Sequence, residues 1–131
     1  MLKITESEQR LLEIVRKDAR YSLPAYEFVK DAVSFASHVV YSTGSHVTGA
    51  ELLEAIRRFG RERYGVLARD VFESWGVTAT EDFGEIVFRL VEEELLLKTD
   101  EDSIEDFRDV FRFEEAFSEA EYWKEKIHDQ A

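Results

Sequence analysis

The chain has no cysteine and no asparagine, a single proline (Pro24), and Met1 as its only methionine. Without cysteine there is no disulfide, no thiolate nucleophile and no cysteine-based zinc site, and a reducing compartment is expected. Long apolar runs are missing as well. Nothing approaches the ~18 residues that a spanning helix needs. The start, Met1-Leu2-Lys3-Ile4-Thr5-Glu6, turns polar at once and has no apolar core of a signal peptide. A cytoplasmic protein without membrane contact is the expectation. Glutamine is confined to Gln9 and Gln130, and 35% of the residues are charged. Thermophile proteins share this poverty in labile residues, although a chain of 131 residues reaches the same composition by chance.

Also absent are the residue patterns that carry catalysis. No phosphate-binding loop or dinucleotide fingerprint occurs. The histidines are His38, His46 and His128, and none has a second histidine at helical spacing, so no metal and no cofactor is expected. Ser45 and His46 are chain neighbours whose side chains point apart, which is no nucleophile–base pair. Asp82-Phe83-Gly84 matches a kinase tripeptide, but the Gly-rich loop and catalytic-loop motif that give it meaning are lacking. The sequence therefore reads as non-enzymatic.

Net charge is −12 and unevenly spread. Residues 1–75 hold eleven acids and eleven bases, whereas 76–131 hold eighteen acids against six bases, so the whole excess lies in the C-terminal part. Such a face repels nucleic acid and anionic membrane and favours a basic partner, unless it serves only solubility.

Apolar spacing places the elements. Thr5-x-x-Glu8 reads as a capping box before a helix to about Asp18 bearing Leu11, Leu12, Ile14 and Val15. Pro24 suits the first turn of a second helix that is apolar nearly all round and so central. Thr48-x-x-Glu51 opens a third, with a break near Gly60 or Gly65. A shorter helix over Val66–Trp75 closes at Gly76. Thr80 caps the next, which runs to Glu94. Gly84 inside it costs about 1 kcal/mol against alanine, a hint of close backbone packing. Leu95–Thr99 and Val110–Phe113 read as two strands joined by a long acidic connection.

Helix, tight turn, helix and hairpin is the order of a winged helix-turn-helix. The fold expected is thus mainly α: a helical domain over 1–117 whose part 66–117 is winged-helix-like, followed by a C-terminal amphipathic helix over 118–131. Ser118-x-x-Glu121 starts that last helix, and Ala120, Trp123 and Ile127 form its seam. A seam on so short a helix must be buried for the helix to persist, either on its own domain or on another chain. Docking on its own domain is favoured, and a homodimer through the C-terminal helix stays open.

Two surfaces are candidates for binding. The helix that a winged-helix protein lays in the major groove here carries Glu81, Asp82 and Glu85 with Arg89, which suits a basic protein partner and not DNA. Arg57, Arg58, Arg61 and Arg63, with Arg69 nearby, form a possible anion or partner patch. This cluster supports the alternative, a nucleic-acid-binding regulator, against the simpler reading that these arginines pair with neighbouring acids.

The stretches His46-Val47-Thr48-Gly49-Ala50-Glu51-Leu52-Leu53-Glu54, Thr80-Glu81-Asp82-Phe83-Gly84-Glu85-Ile86-Val87-Phe88 and Lys98-Thr99-Asp100-Glu101-Asp102-Ser103-Ile104-Glu105-Asp106-Phe107 together resemble a family of small bacterial proteins of unknown function, associated with the planctomycete and verrucomicrobial lineage. The resemblance implies a bacterial intracellular protein and supplies no catalytic residue, ligand or partner. The expectation taken forward is an interaction module with an acidic C-terminal face.

Overall fold

In a computed structural model the structure describes residues 6–37 and 47–130. Helix α1 spans Glu6–Lys17, α2 Leu23–Phe35, α3 Gly49–Tyr64, α4 Ala68–Ser74, α5 Thr80–Glu92, the single turn α6 Phe113–Ala116 and α7 Glu119–Gln130. Short 3-10 turns lie at Gly65–Leu67 and Ile104–Phe107. The chain is mainly helical, and no helix among the described residues is long and apolar enough to cross a membrane.

Local signals start and stop these helices. At α3 the Thr48 hydroxyl accepts from the Glu51 N–H at 3.1 Å and the Glu51 carboxylate accepts from the Thr48 N–H at 2.9 Å, the reciprocal capping the sequence predicts. Pro24 sits in the first turn of α2, where its missing N–H leaves no bond unmade. Residue Thr5 of the first expected box lies outside the described residues. Helix α3 runs through Gly60 and stops at Gly65, so the break falls at the second of the two glycines. Gly60 instead admits a neighbour: a Cβ there would lie 2.7 Å from Phe72 Cζ.

Helix α4 ends in a Schellman arrangement. The Gly76 N–H bonds the Glu73 carbonyl and the Val77 N–H bonds the Phe72 carbonyl, both at 3.0 Å, with Gly76 at φ +91°. Thr80 is not the cap of α5. The Asp82 carboxylate folds back instead, accepting from the Thr78 N–H at 2.9 Å and the Ala79 N–H at 3.2 Å. The Thr80 side chain is buried and its hydroxyl accepts from the Val110 N–H at 3.1 Å.

The expected hairpin is not seen, and no strand occurs among the described residues. Backbone donors in both segments are used elsewhere. Leu95 N–H bonds the Leu90 carbonyl at 2.9 Å and Glu94 N–H bonds the Val91 carbonyl at 3.0 Å, a second Schellman ending with Glu94 in the left-handed position at φ +60°. Leu95 therefore caps α5 and cannot begin a ladder. On the other side Val110 is tied to Thr80, and Phe113 opens α6. The acidic connection is organised by its own carboxylates: Asp102 accepts from the Thr99 N–H at 2.8 Å and Asp106 from the Ser103 N–H at 3.1 Å.

The core is aromatic and centred on Phe72, whose ring lies 5.2 Å from Phe28, 5.3 Å from Phe83 and 5.2 Å from Phe117, centre to centre. Tyr64, Trp75 and Phe113 complete its surroundings. Helix α2 supplies Ala25, Tyr26, Phe28, Val29 and Ala32 to this core, as its apolar composition predicts, while Glu27 and Asp31 stay exposed. Phe107 fills a slot between two glycines. A Cβ on Gly49 would lie 3.2 Å from its ring, and one on Gly84 would lie 2.7 Å from its Cβ. The sequence hint at Gly84 thus has its explanation in a residue of the acidic connection.

Candidate docking groove

Where α2, α3 and α5 diverge, their apolar faces leave a groove of about 400 Å³. Its lining includes Val33 of α2, Leu52 of α3, Val87, Phe88 and Val91 of α5, and Leu95, Leu96 and Phe107. Charged residues also line it: Glu94, Asp102 and Asp106 with Lys98. Leu97 lies at the mouth and is 89% exposed. The size is that of a ligand or side-chain-anchor site, and the lining is mostly apolar with an excess of acid over base. No signal in any one stretch of sequence marks it, because its walls come from residues 33–107. The run Leu95-Leu96-Leu97 is the one feature that points there, once it is freed from the strand reading.

The four residues expected to form a partner face on α5 each have partners within the chain. The buried Tyr21 hydroxyl donates to Asp82 at 2.5 Å and lies 2.8 Å from a Glu85 oxygen. Burial first, and then these two carboxylates, push the Tyr21 hydroxyl far above the usual tyrosine range. Arg20 pairs with Glu85. Arg89 donates to the Tyr26 hydroxyl at 3.1 Å and to Asp18 at 2.6 Å, with its guanidinium 5.2 Å from the centre of the Tyr21 ring. The Arg20 N–H holds the Asp18 carboxyl below its ordinary value, helped by Arg89. Glu81 accepts from the Asp109 N–H and from the Thr80 hydroxyl. The face knits α5 to the α1–α2 loop and to the segment after Phe107.

The arginines are likewise dispersed. Arg61 is buried and its Nε donates to the Ala116 carbonyl at 2.8 Å, fastening α6 to α3. Arg57 pairs with Glu54, Arg63 with Asp31 at 3.3 Å, and Arg69 with Glu73 at 2.8 Å. Arg63 also stands 5.1 Å from the centre of the Phe59 ring, and Arg58 is exposed. Arg57 and Arg61 therefore do not meet in one surface patch.

The tail forms the helix its capping residues predict, with the Ser118 hydroxyl accepting from the Glu121 N–H at 3.1 Å. Its seam is not buried on its own domain. Ala120 is exposed, Trp123 is 52% exposed and Ile127 68% exposed. The helix rests instead on the Gly65–Leu67 turn through Tyr122, whose ring is the nearest neighbour of a Cβ built on Gly65, at 3.6 Å.

Among the described residues no three histidine, aspartate or glutamate side chains are gathered in a way that suits a metal ion. His38 and His46 lie outside those residues, and nothing is described of the His128 side chain. No family model matches the chain, and no curated protein or solved structure matches it.

Proposed function

We propose that the chain is a non-enzymatic protein-interaction module that receives a basic amphipathic helix in the groove between α2, α3 and α5. One observation carries this reading: an apolar trough that, among the described residues, is also lined by three carboxylates and one lysine. A helix with leucine-like anchors at spacings of three and four fits such a trough, and flanking lysines or arginines on it meet the carboxylates. The excess of acid in residues 76–131 adds a field that speeds the encounter.

A peptide of leucine–lysine heptads, labelled and followed by fluorescence anisotropy, tests this. Binding is expected, weakening about tenfold or more in the double variant Leu96→Asp with Leu97→Asp. Binding by a lysine–glycine peptide of equal charge is expected to be much weaker. Equal binding of the two peptides, or no effect of the double variant, would assign attraction to the acidic surface alone and overturn the groove. Loss of stability in the variant without any peptide binding would mean that the chain itself fills the trough.

The winged-helix likeness belongs to this proposal in a reduced form. The order α4, Schellman turn, α5 supports its helix-turn-helix half, and the wing has no counterpart among the described residues. The nucleic-acid alternative, read from Arg57, Arg58, Arg61 and Arg63, loses the buried Arg61 and keeps Arg58 and Arg63 as its exposed cations, and a mobility-shift titration at falling salt is its test, since phosphate binding must strengthen steeply. A cytoplasmic location and membership of the small bacterial family stand as proposals beside it, supported by the cysteine-free sequence and by the three quoted stretches respectively.

A further inference from the structure

Helix α7 turns its Tyr122 side to the domain and leaves Ala120, Trp123 and Ile127 outward. Beside it, in the turn it rests on, Val66 and Leu67 are 42% and 58% exposed. Four of the large apolar side chains that the described surface exposes thus belong to two adjoining elements. Scattered exposed apolar residues need no explanation, but a grouped set marks an interaction surface.

The charges around the seam are ordered. At 3.6 residues per turn, Glu119 and Lys126 lie on one flank of the seam and Lys124 on the other, while Glu121 lies further round, toward the domain. On the flank of Glu119 and Lys126 the acid comes first and the base second. A helix with that order is complementary to itself when reversed. In an antiparallel pair, each flank faces the same flank of the other copy with the heights inverted. One register sets Glu119 of each copy against Lys126 of the other, twice over by symmetry. The same register brings the two Trp123 side chains together near the centre. It also sets the small Ala120 opposite the gap between the other copy's Trp123 and Ile127. The helix dipoles oppose as well.

We propose that two copies of this chain associate about a twofold axis through α7 packed antiparallel on α7, in this register, with Val66 and Leu67 at the edge. The interface is isologous, so it closes at the dimer. It is small, one short helix from each copy, and the association is therefore weak and concentration-dependent. It uses a different surface from the groove and stands independently of the groove reading.

Sedimentation velocity across the micromolar to millimolar range, with charge variants, decides it. The wild type is expected to pass reversibly from monomer to dimer. The acidic variant Lys124→Glu with Lys126→Glu and the basic variant Glu119→Lys with Glu121→Lys are each expected to remain monomeric. Mixed one to one, they are expected to form a heterodimer, because every flanking pair is then acid against base. Trp123→Ala with Ile127→Ala is expected to abolish the dimer while leaving the melting temperature of the dilute monomer unchanged, since both side chains are exposed there. A wild type that stays monomeric at millimolar concentration overturns the proposal. So does dimerisation of either charge variant alone at wild-type strength, or failure of the folded variants to pair on mixing.

Discussion

The Cβ that alanine would add at Gly84 lies 2.7 Å from the Cβ of Phe107. Both are buried, and Phe107 is held from the other side by α3 at Gly49. Gly84→Ala gains about 1 kcal/mol of helix propensity but forces apart two packed elements, a loss of about 1–3 kcal/mol. The expected result of denaturant unfolding is a net loss of stability. A gain would show that Phe107 is free to withdraw.

The two Schellman endings predict opposite outcomes. At Gly76 an added Cβ would fall 2.4 Å from the Arg20 carbonyl oxygen, a backbone atom tied into the α1–α2 loop. Gly76→Ala is expected to cost at least about 2 kcal/mol, from left-handed strain and this collision together. At Glu94 the same conformation is held by a residue with a Cβ and a negative charge at the negative end of a helix. Glu94→Gly is expected to stabilise by about 0.5–1 kcal/mol. Urea midpoints of the two variants should move in opposite directions.

Tyr21 makes stability fall at alkaline pH. The folded chain keeps the hydroxyl proton that the unfolded chain releases near the ordinary tyrosine value of about 10. Its contribution is whole below that pH and declines as the pH climbs above it. Asp18 acts at the other end: its carboxyl is held below the usual value of about 4, so its contribution is present above that value and is lost as the pH falls below it. Absorbance titration of the five tyrosines should leave at least one un-ionised until the chain unfolds. Tyr21→Phe should remove that silent tyrosine and flatten the alkaline limb of the stability curve.

Arg61 and Arg58 are neighbours in sequence with different expected costs. Arg61→Ala removes a buried charged donor from the Ala116 carbonyl and should cost about 2–3 kcal/mol. Arg58→Ala, at an exposed position, should stay within about 0.5 kcal/mol of wild type. Thermal unfolding of both variants checks the pair, and equal effects would refute the assignment of Arg61 to structure.

Features that depend on a few adjacent residues are readable without coordinates. The Thr48–Glu51 box, the proline at the head of α2 and the glycine after Trp75 each satisfy backbone groups within one turn, so their signals are complete in the sequence. The strands assigned to Leu95–Thr99 and Val110–Phe113 fail for a physical reason: a short apolar run is equally consistent with a capped helix end or a buried turn. For Val110 the choice was made by a distant partner, Thr80, and for Leu95 by the carbonyl of Leu90, at the end of the helix it closes. The arginine spacing was legible, but the Ala116 carbonyl that captures Arg61 lies 55 residues away. Likewise the groove is assembled from segments that no local pattern connects, and the α5 carboxylates are occupied by Tyr21 and Arg20, which precede them by more than 60 residues.

The two tryptophans stand in opposite surroundings. Trp75 is packed among Phe28, Tyr64 and Phe72 with ring centres 5.6–5.8 Å away, whereas Trp123 meets solvent on the tail. The molecule therefore carries two built-in optical probes. Trp75, half-buried against the aromatic core, emits at shorter wavelength and collects excitation from Tyr64, while Trp123 emits at longer wavelength and is the more open to a dissolved quencher such as iodide. One emission spectrum, recorded with and without the quencher, separates what happens in the core from what happens at the tail without any label being attached.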